Sequence, residues 1–367
     1  MKNNNGKARV IALYLPQYHP FPENDEWWGK GFTEWTSVGR AKPLFKGHYQ
    51  PRVPADLGYY DLRLPIVREQ QAELAREAGI EGFCYWHYWF GNGKQLMAEI
   101  INEVIATGKP DYPFMLGWAN HSWYAKNWNS NDTKGKDRLL IEQTFPGDED
   151  IRKHYEYARI AFKDSRYIKD GNKPLFMIYI AKNIPDNMIS LWNKWAKEDG
   201  FDGIYFLGNI PANENEKEYI AKGFSAVIKN RTPSVINKRF EHKSSFLWAK
   251  FKSHALGIPD RKVSYKEASK YFVDEAEDAS DEIIPNIVPG FDHSPRSGKY
   301  GLIIDGSTPS LFYEHCKRVL NLVNKKRNKF VMLRSWNEWG EGNYMEPDIV
   351  YGKQYIEALR KAIDEQK

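Results

Sequence analysis

Short runs of β-branched and aromatic residues alternate along the whole chain with stretches of helical period. Residues 9–15 predict a first strand, and a helix over 66–78 stops at Gly79, a residue suited to a left-handed cap. A second strand over 81–88 is followed by a helix over 95–107 that ends at Gly108. Further strands are predicted at 114–118, 174–180, 204–207, 224–228, 283–288 and 330–333, with helices over 308–324 and 353–365 flanking the last. Eight strand–helix alternations favour a closed parallel barrel over an open doubly wound sheet. The expectation is an α/β chain forming one (β/α)8 TIM barrel domain over 1–367. Long insertions interrupt it after strand one, at about 16–64, and after strand six, at about 229–282. Long structured loops at the carboxyl ends of barrel strands usually carry function.

Composition narrows the class without changing this outline. An apolar share of 41% and a charged share of 28% supply enough material for a sizeable core and argue against disorder. The net charge of +5 is a small excess of 53 basic over 48 acidic residues, so nucleic acid is not an expected partner. Its densest basic cluster, Lys325-Lys326-Arg327, reads as a solvated helix end. Two cysteines, Cys84 and Cys316, are too few for a disulfide framework or a metal knuckle. No apolar run is long enough for a membrane span. The opening Met-Lys-Asn-Asn-Asn-Gly-Lys lacks the apolar core of a signal peptide, which reads as cytoplasmic, although a chain whose leader had been removed would read the same.

Chemistry gathers where the strands end. The apolar run 330–333 breaks off into Ser335-Trp336-Asn337-Glu338-Trp339-Gly340-Glu341-Gly342, which places two carboxylates three residues apart at a strand terminus. Glycosidic cleavage needs one group to protonate the leaving oxygen and a second to assist attack, so Glu338 and Glu341 are the candidate catalytic pair. Taken alone, a Glu in the first turn of a helix explains the same pattern about equally well. The aromatic share of 15%, with 13 Trp and 22 Tyr, suits the C–H faces of sugar rings.

Candidate substrate contacts sit at the other strand ends. These are Tyr18 and His19 after strand one, Tyr85, His87 and Tyr88 on strand two, and Trp118, Asn120, His121 and Trp123 at strand three. Tyr179 follows strand four, and Asp292, His293 and Arg296 follow strand seven, where they could orient a substrate hydroxyl or a carboxylate. Trp35 in the first insertion and Trp336, Asn337 and Trp339 beside the acid pair complete the set. Asp292 and His293 could also ligate a metal, but no second cluster has metal-ligand spacing, so no metal or other cofactor is expected. No Gly-rich dinucleotide or phosphate fingerprint follows any strand.

Leu15-Pro16-Gln17-Tyr18-His19-Pro20, the run from Glu23 through Trp27-Trp28-Gly29-Lys30-Gly31-Phe32-Thr33-Glu34-Trp35, Lys46-Gly47-His48-Tyr49-Gln50-Pro51 and Trp336-Asn337-Glu338-Trp339-Gly340-Glu341-Gly342 closely resemble the WbsX-type proteins, relatives of glycoside hydrolase family 99. The resemblance covers about residues 9 to 350. It implies a (β/α)8 barrel acting on α-linked, mannose-type oligosaccharides or polysaccharides. It also implies retention without a protein nucleophile. Glu338 would deprotonate the sugar 2-hydroxyl, which attacks the anomeric carbon, and Glu341 would protonate the departing oxygen and later activate water. One position departs from the pattern, because Trp118-Ala119-Asn120-His121-Ser122-Trp123 has His where the family often has Glu.

Many members of the family lie in pathways that build surface polysaccharides, which keeps a glycosyltransferase open beside a hydrolase or transglycosylase. Against a transferase stands the lack of an Asp-x-Asp metal motif in a nucleotide-binding context and of a basic phosphate cradle. A non-catalytic glycan-binding barrel is the third reading.

Overall fold

In the computed structural model, which describes residues 6–125, 138–239, 247, 251 and 258–366, eight strands form a parallel sheet that curls into a barrel. They are β1 Arg9–Tyr14, β2 Gly82–Trp89, β3 Phe114–Trp118, β4 Lys173–Ile178, β5 Tyr205–Pro211, β6 Ala226–Asn230, β7 Asn286–Ile287 and β8 Phe330–Leu333. The hydrogen-bonded order is β6-β5-β4-β3-β2-β1-β8-β7. Closure comes from a parallel bridge between Val227 and Ile283, with Val227 N–H donating to Glu282 and Ile284 N–H donating back to Val227, both at 2.8 Å. The (β/α)8 TIM barrel is therefore the observed fold.

Parallel barrel strands are covered on both sides, so they read as unbroken apolar runs, and all eight residues of β2 are buried. Strand seven is shorter than the run 283–288 because Pro285 has no N–H to give to the ladder. The helix predicted from 95 begins at Ala98, since Gln95 and Leu96 pair instead with Trp89 and Tyr88. Crossover helices Asp148–Phe162 and Met188–Glu198 bury His154, Tyr155 and Trp192, polar-tipped residues that dilute an apolar period.

Both insertions carry structure that frames the carboxyl face. The first holds two short helices, α1 Pro22–Trp28 and α2 Glu34–Arg40. Thr33 starts α2 with a capping box, its hydroxyl accepting from Trp35 N–H while Thr36 Oγ1 accepts from its own N–H. Of the second insertion, residues 240–246, 248–250 and 252–257 lie outside the described part. Its remainder supplies Lys262–Ser264 to a three-stranded sheet with Ile303–Asp305 and Phe291–Asp292. A satellite core containing Val263, Tyr265, Phe272 and Ile304 packs beside that sheet.

Candidate active site

Immediately beyond β8 the chain turns back on itself. Asn337–Glu338 pairs antiparallel with Asn343–Tyr344, and residues 339–341 make a single 3-10 turn closed by Gly342 at φ 55°, a left-handed position that suits glycine. The hairpin is anchored to β1. Asn337 accepts from Leu15 N–H at 2.7 Å and donates to Leu15 C=O at 3.0 Å, while the Tyr18 hydroxyl donates to Asn337 C=O at 2.6 Å and accepts from Trp339 N–H at 3.0 Å. Trp339 stacks on Tyr344 at 3.7 Å and donates its indole N–H to buried Glu346 at 2.6 Å. Burial pushes the Glu346 carboxyl up to about 7 against the neutral donors Trp339, Gln71 and Tyr60. Both candidate glutamates thus project from a turn whose backbone is fixed on two sides.

Their common partner is Arg296, on the short helix Ser294–Ser297 after Phe291–Asp292. Its guanidinium reaches Glu341 Oε1 at 2.6 Å, Glu338 Oε2 at 3.2 Å and Glu34 Oε2 at 3.0 Å. Gly340 makes this convergence possible, because a Cβ there would lie 2.4 Å from Glu34 Oε2 and 3.0 Å from Arg296 Nε. Burial and the neighbouring charge of Glu341 push the Glu338 carboxyl up to about 8, and Arg296 offsets only part of that. At neutral pH burial and the adjacent carboxylate therefore favour the protonated form of Glu338. His293 lies 3.8 Å from Glu341 and accepts or donates at 2.6 Å with Ser297 Oγ.

These groups form part of the wall of a cleft of about 860 Å³ at the carboxyl ends of the strands. Of the residues expected from sequence, Tyr88, His121, Trp123, Tyr179, His293, Arg296, Glu338 and Glu341 line it. Trp123 meets Tyr88 edge-on at 5.2 Å, and Tyr179 meets Trp86 edge-on at 5.4 Å. Glu34, Trp86 and Arg334 also line the cleft and were not among the expected contacts. Strand parity would have found Trp86, two residues before Tyr88. Glu34 lies in the Phe32-Thr33-Glu34-Trp35 motif, but only the fold brings it to Arg296.

Several expected contacts are corrected by the pleat. Tyr85 and His87 lie on the helix-facing side of β2, with Tyr85 packed at 4.5 Å on Tyr14 and His87 Nε2 placed 2.8 Å from His154 Nε2. Trp118 also faces outward, its indole donating to Trp89 C=O at 2.9 Å. Asn120 clamps the chain after β4 through Ile180 and Asn183. His19 is buried against Pro20 C=O, Trp35 donates to Tyr60 C=O, and Trp336 is wholly buried. Tyr18, Asn337 and Trp339 shape the hairpin from behind. Asp292 stands behind the cleft too: burial opposes its charge, but His48, Arg52 and Ser294 outweigh that and hold it at about 2.

The His87–His154 pair makes a testable prediction. Burial lowers both histidines, His87 to about 3 and His154 well below its ordinary value, so the fold accepts them only when neutral. A depressed histidine contributes its full stability above the unfolded value of about 6.5 and loses it as pH falls from there toward the folded value. Between pH 6.5 and 5 the native protein should lose about 2–4 kcal/mol more than a double variant His87→Phe/His154→Leu. Urea unfolding at the two pH values measures the difference, and parallel slopes would refute the assignment.

Comparison with known proteins places this geometry in a family. A family model described as Glycosyltransferase WbsX matches residues 10–359. The chain belongs to the WbsX family. Two proteins from Xanthomonas campestris pv. campestris, strains B100 and ATCC 33913, both named "Uncharacterized protein WxcX", are each 34% identical over 97% of this chain. This WbsX chain spans about half the length of those curated relatives, 50% of each. Among solved structures, a glycoside hydrolase-like protein aligns over 98% of the chain and 94% of its own with a TM-score of 0.59 at 17% identity. A GH99 endo-alpha-mannosidase from Bacteroides thetaiotaomicron, in complex with BIS-TRIS-propane, aligns over 97% of both chains with a TM-score of 0.58 at 14% identity. The WbsX chain therefore shares the barrel fold of glycoside hydrolases.

Proposed function

We propose that this WbsX chain cleaves or transfers α-linked, mannose-like glycans by a retaining mechanism in which the sugar 2-hydroxyl takes part. One observation carries the reading: Glu338, Glu341 and Glu34 converge on Arg296 in the wall of an aromatic cleft at the carboxyl ends of the strands. The raised Glu338 carboxyl favours Glu338 as the acid, the reverse of the order that the family resemblance implies. Glu338 would give its proton to the glycosidic oxygen as the bond to the anomeric carbon breaks. Glu341, held on Arg296, would take the proton of the 2-hydroxyl, whose oxygen bonds to the anomeric carbon. Water or another sugar hydroxyl then attacks the anomeric carbon and gives its proton to Glu338, while the bond from the 2-oxygen breaks and that oxygen takes its proton back from Glu341.

The direction of the pH profile tests the order. With Glu338 as acid, kcat/KM should hold steady toward pH 8 and fall about tenfold per pH unit above it. A rate that instead climbs up to pH 8 would assign Glu338 as base. NMR of the first-formed anomer on α-mannosidic oligosaccharides tests retention.

A second reading, a glycosyltransferase of surface polysaccharide synthesis, is favoured by the description of the matched family. Incubation with nucleotide-sugars and acceptor, against oligosaccharide and water, separates the two.

A further inference from the structure

Arg334, the first residue after β8, is a cleft-lining cation to which the described residues supply no counter-ion. Its guanidinium makes one hydrogen bond, from Nη1 to Asn209 Oδ1 at 3.1 Å, and forms no ion pair among the described residues. Arg296, on the same cleft, has three carboxylate partners. The two arginines are therefore in opposite situations: one is saturated with acidic groups, the other presents donors to the space where substrate would lie.

Placement argues that this is a built site. Asn209 ends its side chain on β5, which is not a sheet neighbour of β8, so the arginine reaches across the barrel mouth. Asn209 is itself fixed, donating to Tyr179 C=O at 2.8 Å, and its oxygen orients the guanidinium. Tyr179, whose carbonyl holds Asn209, lines the cleft beside Arg334, and the acid pair Glu338 and Glu341 lies near the same ring but makes its ion pairs with Arg296 instead. His121, 5.3 Å from the Tyr179 ring, keeps a buried Nδ1 without a partner among the described residues. A planar fork oriented by a fixed amide, with its remaining donors without an acidic partner among the described residues, is suited to a bidentate anion.

We propose that Arg334 binds an anionic group on the substrate, so that the glycan of this site is acidic, carrying a uronic acid carboxylate or a phosphate substituent. This rests on the glycan reading of the cleft. The planar carboxylate of a hexuronic acid is the simplest occupant, because it lies in the ring's own C5 substituent and needs no added group.

The full chain would be titrated with methyl α-D-glucuronide, methyl α-D-glucoside and inorganic phosphate, each followed by ligand-observed NMR at low salt. Expected is glucuronide binding about tenfold tighter than glucoside, with the preference lost in Arg334→Met and partly regained in Arg334→Lys. Thermal melting of both variants reports whether they fold. Displacement of glucuronide by millimolar phosphate in the native protein, but not in Arg334→Met, would also support an anion site and would point to a phosphate substituent. Equal binding of glucuronide and glucoside, or a preference that survives in Arg334→Met, overturns the anion site and leaves the glycan reading standing. Failure of both sugars to bind overturns the anion site together with the glycan reading.

Discussion

Glu338→Gln is expected to lower turnover by about a thousandfold or more while making the folded protein more stable above neutral pH. On the proposed mechanism the loss follows from removing the proton donor, and Glu341→Gln should cost as much by removing its partner. The gain follows from the raised carboxyl. Because the folded value is about 8 against an ordinary 4.5, the fold prefers the protonated form. Wild-type stability therefore declines as pH rises from 4.5 to 8, whereas the amide stays neutral throughout. At pH 8 the variant should gain about 1–3 kcal/mol, less than the full shift would give because Arg296 exchanges an ionic partner for a neutral one. At pH 4.5 the two should match. Urea unfolding at both values decides it, and a variant weaker than wild type at pH 8 would place the proton elsewhere.

Arg296→Met should do the opposite to stability. It would leave Glu34, Glu338 and Glu341 facing one another without their shared cation, and uncompensated buried charge costs about 3–5 kcal/mol. That loss should be greatest near pH 8 and shrink toward pH 5, since the carboxylates of the variant can neutralise themselves by taking up protons. Activity should vanish with it, because the pair loses the group that holds its charge and position. Arg296→Lys can supply one point charge but no fork, so partial recovery of stability with little recovery of activity is expected. Denaturant midpoints across the pH range, beside turnover of an α-glycan, measure both effects. Unchanged stability at pH 8 would mean that the three carboxylates do not depend on the arginine.

How much of this was legible in the chain depended on which physical signal each residue leaves. The strands were readable because both faces of a parallel barrel strand are buried, and Phe330–Leu333 and Phe114–Trp118 stand where the apolar runs lie. That same property hid the facing of each side chain. A strand such as Gly82–Trp89, buried on both sides, has no polar alternation, so its period separated Tyr85 and His87 from Trp86 and Tyr88 without saying which pair faces the cleft. Glu338 and Glu341 were visible because they break an apolar run. Glu34 was not, since its contact with Arg296 joins residues 262 positions apart through a helix in a long insertion. Arg334 was hidden by its company, as one basic residue among many until the fold laid it across the mouth.

The Asn337 clamp on Leu15 has a further consequence, for the time course of folding. It ties residues 322 positions apart, and it belongs to the same junction at which β8 slots beside β1. Contacts of such long range bear the largest loop-closure cost and tend to form late. The acid pair and the cross-barrel arginine both lie just past that junction. A refolding chain would regain most of its helical signal before Glu338 and Glu341 met Arg296, so assembly of that cluster would be the last phase to appear.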